Sequence, residues 1–347
     1  MDPALLIPAA EPIPVHWAWF DTLLVSTFVL HVLLMNAVVG ATAVALFARK
    51  DGAAPAPSPA ADLKDSLTVL LALAVNFGVA PLLFLQVNWG QFDYVSSVLM
   101  GGWWLCVPFV IIVAYYALYT YKFRFDRLSG GRTVLPALAL VIFLFVGFMF
   151  TNNMSLMVRP EGWSGYFQDG TILNWGDPTL WPRWLHMMTG ALAVGGLWAA
   201  LRGRMKGNDD LTRTGLAWFT RGTLANLAFG LWFLFALPQA VMLQFMGGSL
   251  PATGVLVLGL AFAGLMLATG FKGQLGLTVA FAVGTVASMA LARHFVRVFD
   301  LAPVYHPRQL PVTGQTSALV LFLVILAIGL ALIGWMLNTW RRAGKEA

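Results

Sequence analysis

Trp181-Pro-Arg-Trp-Leu-His186-Met-Met-Thr-Gly190-Ala-Leu-Ala-Val-Gly195-Gly196 is the stretch whose reading decides the architecture. The run it opens stays apolar to Ala200, long enough for a membrane helix. Trp181 and Trp184 are interfacial anchors and Pro182 marks a helix N-terminus. One histidine lies inside the run, with Arg183 a turn before it and Gly190 a turn after, so the three share a helix face. An imidazole beside a missing side chain leaves room for a flat macrocycle, and an arginine nearby suits its propionates. The other reading is a histidine bonded to a neighbouring helix, with glycines for close packing. Ionisable residues inside a membrane span are functional candidates by default.

Working outward, the whole chain shares this character. Of its 347 residues 59% are hydrophobic and only 10% charged, far below the ~25% of ordinary globular proteins. That composition makes an all-α, polytopic integral membrane protein and excludes a soluble enzyme. The single cysteine, Cys106, lies in an apolar run, which excludes a disulfide framework and a thiolate metal site. The net charge of +6 speaks for membrane topology rather than for nucleic acid.

Apolar runs predict nine spans, at 21–47, 66–88, 103–121, 133–153, 182–201, 217–243, 252–270, 274–296 and 316–340. They group as a first four-helix unit (1–153), a long loop (154–181), a second four-helix unit (182–296) and a peripheral ninth helix (316–340). The Pro/Ala-rich stretch 52–61 reads as a flexible linker. Sixteen of the 21 Lys and Arg fall in the loops after the odd-numbered spans or, for Arg221, at the adjoining end of the sixth span, which places the N-terminus outside and the C-terminus in the cytoplasm. The other five are Arg159, Arg183, Arg293, Arg297 and Arg308, which topology does not require. Arg293 and Arg297 flank His294 at the outer end of the eighth span, where they are interface anchors or part of a cofactor site shared with Arg183 and His186.

The first span repeats the pattern. His31 sits in an apolar helix with Gly40 nine residues on, as Gly195 follows His186 by nine. Nine residues is two and a half turns, so each glycine faces away from its histidine and suits helix–helix contact. Gln86-Val-Asn88-Trp89-Gly-Gln91-Phe-Asp93 is polar and aromatic, and reads either as the frame of a quinone headgroup or as a solvated loop.

These residues together resemble subunit I of the cytochrome bd quinol oxidases. His31-x8-Gly40 is similar to that family's first haem-ligand helix. Leu185-His186-x8-Gly195, followed by Leu201-Arg-Gly-Arg, is similar to the helix carrying its low-spin b-haem histidine. Asp126-Arg127-Leu128-Ser129 resembles the turn after the third span, Asn152-Asn153-Met154 the end of the fourth, and Asn76-Phe77 to Trp89 the end of the second. The resemblance covers most of 18–230 and implies a nine-helix haem b protein that uses quinol, with His186 and His31 as iron ligands. There is a looser similarity to the membrane modules of bacterial inner-membrane quinol:cytochrome c oxidoreductases.

The departures bear on the reaction. The family's extended quinol loop between spans six and seven shrinks here to 245–254, and Thr253-Gly254-Val255-Leu256 offers no methionine to complete a haem. The two span-three carboxylates of the family fall near Cys106 and Ala114, and no span contains glutamate. Oxygen reduction needs titratable groups to deliver protons to a buried site, so a terminal oxidase is not expected. The expectation is a b-type cytochrome subunit of a respiratory complex in a bacterial-type inner membrane. It would pass electrons from quinol to an outer-side redox partner, with room in the complex for a second membrane subunit. Without a Cys-x-x-Cys-His, any c-type haem belongs to a separate chain. His186 is the expected ligand, His294, Met242 or Met246 its sixth-position partner, and Arg183, Arg293 and Arg297 the charges around a propionate or semiquinone. Two other classes stay open: a cofactor-free structural or assembly subunit of the same fold, and a transporter using His186 and Asp93, for which the spans offer no acidic relay.

Overall fold

Wherever the sequence runs apolar for the width of a membrane, the chain is helical. The computed structural model describes residues 3–48, 58–128, 131–170 and 173–346. Eleven α-helices follow in chain order: α1 Trp17–Phe47, α2 Pro59–Met100, α3 Gly102–Phe123, α4 Gly131–Met157, α5 Tyr166–Asp169, α6 Leu180–Lys206, α7 Asp209–Ala236, α8 Gln239–Leu243, α9 Leu250–Phe271, α10 Leu275–Leu301 and α11 Thr316–Glu346. Eight of them are long and apolar enough to cross a membrane, or nine spans counting α7 with its bent continuation, among the described residues. This is the make-up of a multi-pass membrane protein. On α3, Leu105, Phe109, Ile112 and Tyr116 form an exposed stripe at helical spacing, the face such a helix turns to lipid.

Local chemistry sets the helix ends. Ser58 caps α2 by accepting from the Ala61 amide, and Pro59 takes the first helical position, where its missing N–H is not needed. Gly207 ends α6 in the left-handed region at φ 67°, and Asn208 caps α7 at once by accepting from the Leu211 amide. A two-residue turn therefore folds α7 back along α6, the most extensive helix pair.

The core of the fold is the crossing of α1 and α6. A Cβ added at Gly40 or Gly195 would overlap the backbone of the other helix, at Ala191 and Gly195 or at Gly40 and Ala41. Only glycines let two backbones approach this closely, which is the small-residue logic of helix contacts in lipid. Around the crossing α1 packs on α2, α3 on α4 and α9 on α10, while α10 also touches α1 and α6. α11 stands apart, with none of its apolar window buried.

Two spans differ from expectation. The second does not stop at residue 88: α2 runs to Met100, with one kinked residue at Trp89 (φ −133°, ψ 17°). The segment read as a headgroup frame or solvated loop is thus mostly buried helix, in which Asn88 and Trp89 donate to Asp21 of α1 and Gln86 donates to Asp93. The sixth span ends early, at Ala236. Leu237 is extended (ψ 151°), as a residue before proline prefers, and Pro238 opens a short helix bent by 116° from α7. Of the linker at 52–61, residues 52–57 lie outside the described residues, as does Ser129.

Candidate functional site

The two membrane histidines are held in the same way. His31 Nδ1 lies 2.9 Å from the Ala74 carbonyl on α2, and His186 Nδ1 lies 3.0 Å from the Asn226 carbonyl on α7. A carbonyl only accepts, so each Nδ1 carries the proton and each Nε2 keeps its lone pair. One turn beyond each carbonyl is a glycine over which the ring lies. A Cβ at Gly78 would stand 2.8 Å from His31 Cε1, and one at Gly230 would stand 2.9 Å from His186 Cε1. Such a bond to Nδ1–H fixes the ring and its tautomer in a metal-binding histidine and makes Nε2 the better ligand. Asn226 adds a second contact, donating from its amide to the His186 carbonyl. Gly190 leaves the space for this, since a Cβ there would stand 3.0 Å from Asn226 Nδ2.

His186 lines a cavity between α6, α7, α9 and α10, closed on one side by α1 and α4. It has room for the centres of water-sized contents over ≈ 270 Å³. At the ~10–15 Å³ that one water needs by this measure, that is on the order of twenty waters, or about 600 Å³ of liquid, the size range of a cofactor site. The walls are mostly aliphatic and aromatic. At one end lie Phe219, Met266 and Ala282; at the other lie Arg183, Arg293 and Arg297.

These arginines are stacked rather than paired. Arg183 lies 5.0 Å from the Phe233 ring centroid, Arg293 lies 4.2 Å from that of Phe28, and Arg297 lies 5.7 Å from that of Trp89. None has a carboxylate at ion-pair distance among the described residues. Arg183 Nε and Arg297 Nη1 are buried without a hydrogen-bond partner. The nearby acids are engaged elsewhere: Arg159, in the loop after α4, donates to Asp300 at 2.9 Å and stands 3.4 Å from Asp177. Burial works against the Arg159 charge, yet Asp300, Asp177 and Glu161 outweigh it and hold the guanidinium above its usual pKa. Cations stacked on aromatic faces with free N–H groups form a site for an anion.

The residues expected from sequence divide clearly. His186, Arg183, Gly190, Arg293 and Arg297 all line the one cavity. Met246 does not reach it; it sits 50% exposed in the π-turn Gln244–Gly248. His294 is turned toward α1, its Nε2 3.8 Å from Asp21 Oδ2, and does not line the cavity either. His31 repeats the geometry of His186 outside this cavity. Asn88, Trp89 and Asp93 are buried, while Gln86 and Gln91 are half-buried.

Sequence reading missed the parts that lie across helix interfaces. Asn226 and Gly230, Ala74 and Gly78, and the platforms Phe28 and Phe233 were not singled out. The one available signal was a small residue a turn after the accepting carbonyl on the helix following each histidine helix. Four methionines line the cavity: Met154, Met187, Met266 and Met289. The sulfurs of Met187 and Met266 accept from the hydroxyls of Thr151 and Thr285, at 3.6 and 3.7 Å. No protein-family model, curated protein or solved structure matches the chain.

Proposed function

We propose that this chain is the membrane-embedded b-type cytochrome subunit of a respiratory electron-transfer complex. The observation that carries the reading is His186. Its Nδ1–H is tied to the Asn226 carbonyl, its Nε2 has no hydrogen-bond partner among the described residues, and it lines a large apolar cavity that ends in three arginines with no ion-pair partner among those residues. The donor set fits haem b: an imidazole for the iron, aliphatic and aromatic walls for the macrocycle, and guanidinium groups for two propionates. When bound, haem supplies one-electron redox chemistry. The chain's own residues set the conditions for it. Asn226 and Gly230 fix the His186 ring; Arg183, Arg293 and Arg297 would hold the anionic edge and stabilise added negative charge; the apolar walls would exclude water.

His31, held over Gly78 in the same manner, is the corresponding candidate ligand for a second haem. The bias of Lys and Arg supports an N-terminus outside and a C-terminus in the cytoplasm of a bacterial-type inner membrane. The arginine end then faces outward, which suits electrons taken from membrane quinol and passed to a separate c-type cytochrome or other redox subunit on that side. This reading is in keeping with the resemblance to cytochrome bd subunit I, although no span holds the glutamates of that family.

A cofactor-free structural subunit of the same fold is the second reading, favoured by the lack of a methionine at the start of α9. A reduced-minus-oxidised optical spectrum of the purified protein, expressed with haem supplied, separates the two. The cytochrome reading expects a b-type α band; its absence rejects that reading and leaves the structural one.

A further inference from the structure

Arg297 serves two sites. One side of it lines the cavity with His186. It also stacks on Trp89, 5.7 Å from the ring centroid, beside a polar cluster that includes Asp21 on α1, Asn88 and Asp93 on α2 and His294 on α10. The two carboxylates of this cluster are held very differently. Asp21 Oδ1 accepts from Asn88 Nδ2 at 2.9 Å and from the Trp89 indole at 3.4 Å, and Oδ2 faces His294. Asp93 is 1% exposed and accepts a single bond, from Gln86 Nε2 to Oδ2 at 3.2 Å; its Oδ1 is buried with no partner. Nor has Arg297 Nη1 any partner. An ionised carboxylate with a bare buried oxygen is far less stabilised than one that accepts several bonds. Asp93 is therefore the acid in the cluster whose proton occupancy responds to a change of charge nearby.

We propose that Asp93 is a proton-binding site coupled to the redox state of the cavity, an inference that rests on the cytochrome reading above. With haem held at His186, each electron that quinol or an electrode gave to that group would be matched by one proton from water at the adjoining surface, which bonds to Asp93 Oδ1. When the electron leaves, that O–H bond breaks and the proton returns to water. Arg297 is the link, since a negative charge added on its cavity side weakens the hold it has on Asp93. Half-buried Gln86, bonded to Asp93, connects the carboxyl to the surface. The other titratable groups facing the cluster are Asp21 from α1, His294 from α10, Tyr305 and His306 from the segment after α10, and Arg183 from α6 by way of Arg297.

The test is a spectroelectrochemical titration of the full haem-loaded chain across roughly pH 6–9, the range in which proton-linked redox groups of proteins commonly titrate. In the wild type the midpoint potential should fall with pH, by at most about 59 mV per unit, the limit of one proton per electron. Asp93→Asn should flatten that slope with the α band unchanged, and Asp93→Glu should restore it. Gln86→Leu removes the one bond to the ionised form and should move the sloping range to higher pH, which keeps the test open if Asp93→Asn does not assemble. A flat wild-type profile overturns the proposal. So does an unchanged slope in Asp93→Asn, or an unmoved range in Gln86→Leu, while leaving the cytochrome reading intact. Absence of any haem spectrum overturns both.

Discussion

Gly230→Ala puts the histidine clamp under direct strain. The added Cβ would stand 2.9 Å from both Cε1 and Nδ1 of His186, and ordinary contact begins near 3.4 Å, so the ring must retreat by about 0.5 Å. It cannot retreat and keep its bond. The Nδ1···O distance to Asn226, now 3.0 Å, would stretch toward about 3.5 Å, beyond the usual N–H···O range. Overpacking of this kind costs about 1–3 kcal/mol, and a lost hydrogen bond about 0.5–1.5 kcal/mol. Even the lower ends together give about 1.5 kcal/mol; the free protein can relieve this by letting the ring turn away and the bound one cannot, so up to about a tenfold loss falls on haem affinity. The helix itself does not suffer, since alanine exceeds glycine in helix propensity by about 1 kcal/mol. The assay is haem per chain by pyridine haemochromogen, alongside thermal unfolding of the detergent-solubilised protein. The expected result is haem content reduced at limiting haem with the fold intact. Gly254→Ala, which meets nothing within 4 Å, serves as control. A Gly230→Ala protein with wild-type haem content and spectrum would refute the clamp.

Other outcomes follow from the same geometry. Arg293→Gln should act with opposite signs on the two forms. It removes a cation that has no carboxylate partner, raising apoprotein stability by about 1 kcal/mol after discounting for its partial exposure, and it weakens haem retention; the same sign on both forms in thermal unfolding would contradict an anion site. Met246→Leu and His294→Ala should leave the α band and spin state unchanged, because neither side chain lines the cavity; a switch to high spin in either would restore it as an iron ligand. Gly195→Ala should lose folded protein in size-exclusion chromatography, since its Cβ meets the Gly40 backbone and neither helix can yield cheaply; a monodisperse variant would mean the crossing is looser than described.

The lengths of the apolar runs place most of the helices. The repeated histidine with glycine nine residues on marks both histidine helices and the contact between them. What the chain does not reveal locally is register across interfaces. Asn226 and Gly230 matter because α7 sets them against His186, and nothing in the α7 sequence alone states that alignment. The segment 86–93 shows the same limit. Its glutamines, asparagine and aspartate look like solvated loop chemistry, yet the Asn88 amide donates to Asp21, and Tyr305, 217 residues on, donates to the Asn88 backbone carbonyl. The three arginines are legible as a surplus beyond topology, but their convergence on one cavity depends on α6 and α10 facing each other across it. The break at Leu237-Pro238 shortens the sixth span, and it turned Met246 from a candidate ligand into an exposed turn residue.

The central claim is that His186 holds a haem in the α6–α7–α9–α10 cavity. Haem stoichiometry and the reduced α band of His186→Ala against wild type test it most directly. The account predicts that the variant remains folded in thermal unfolding and loses that haem or converts it to high spin. A folded His186→Ala protein with the wild-type stoichiometry and an unchanged α band would contradict it.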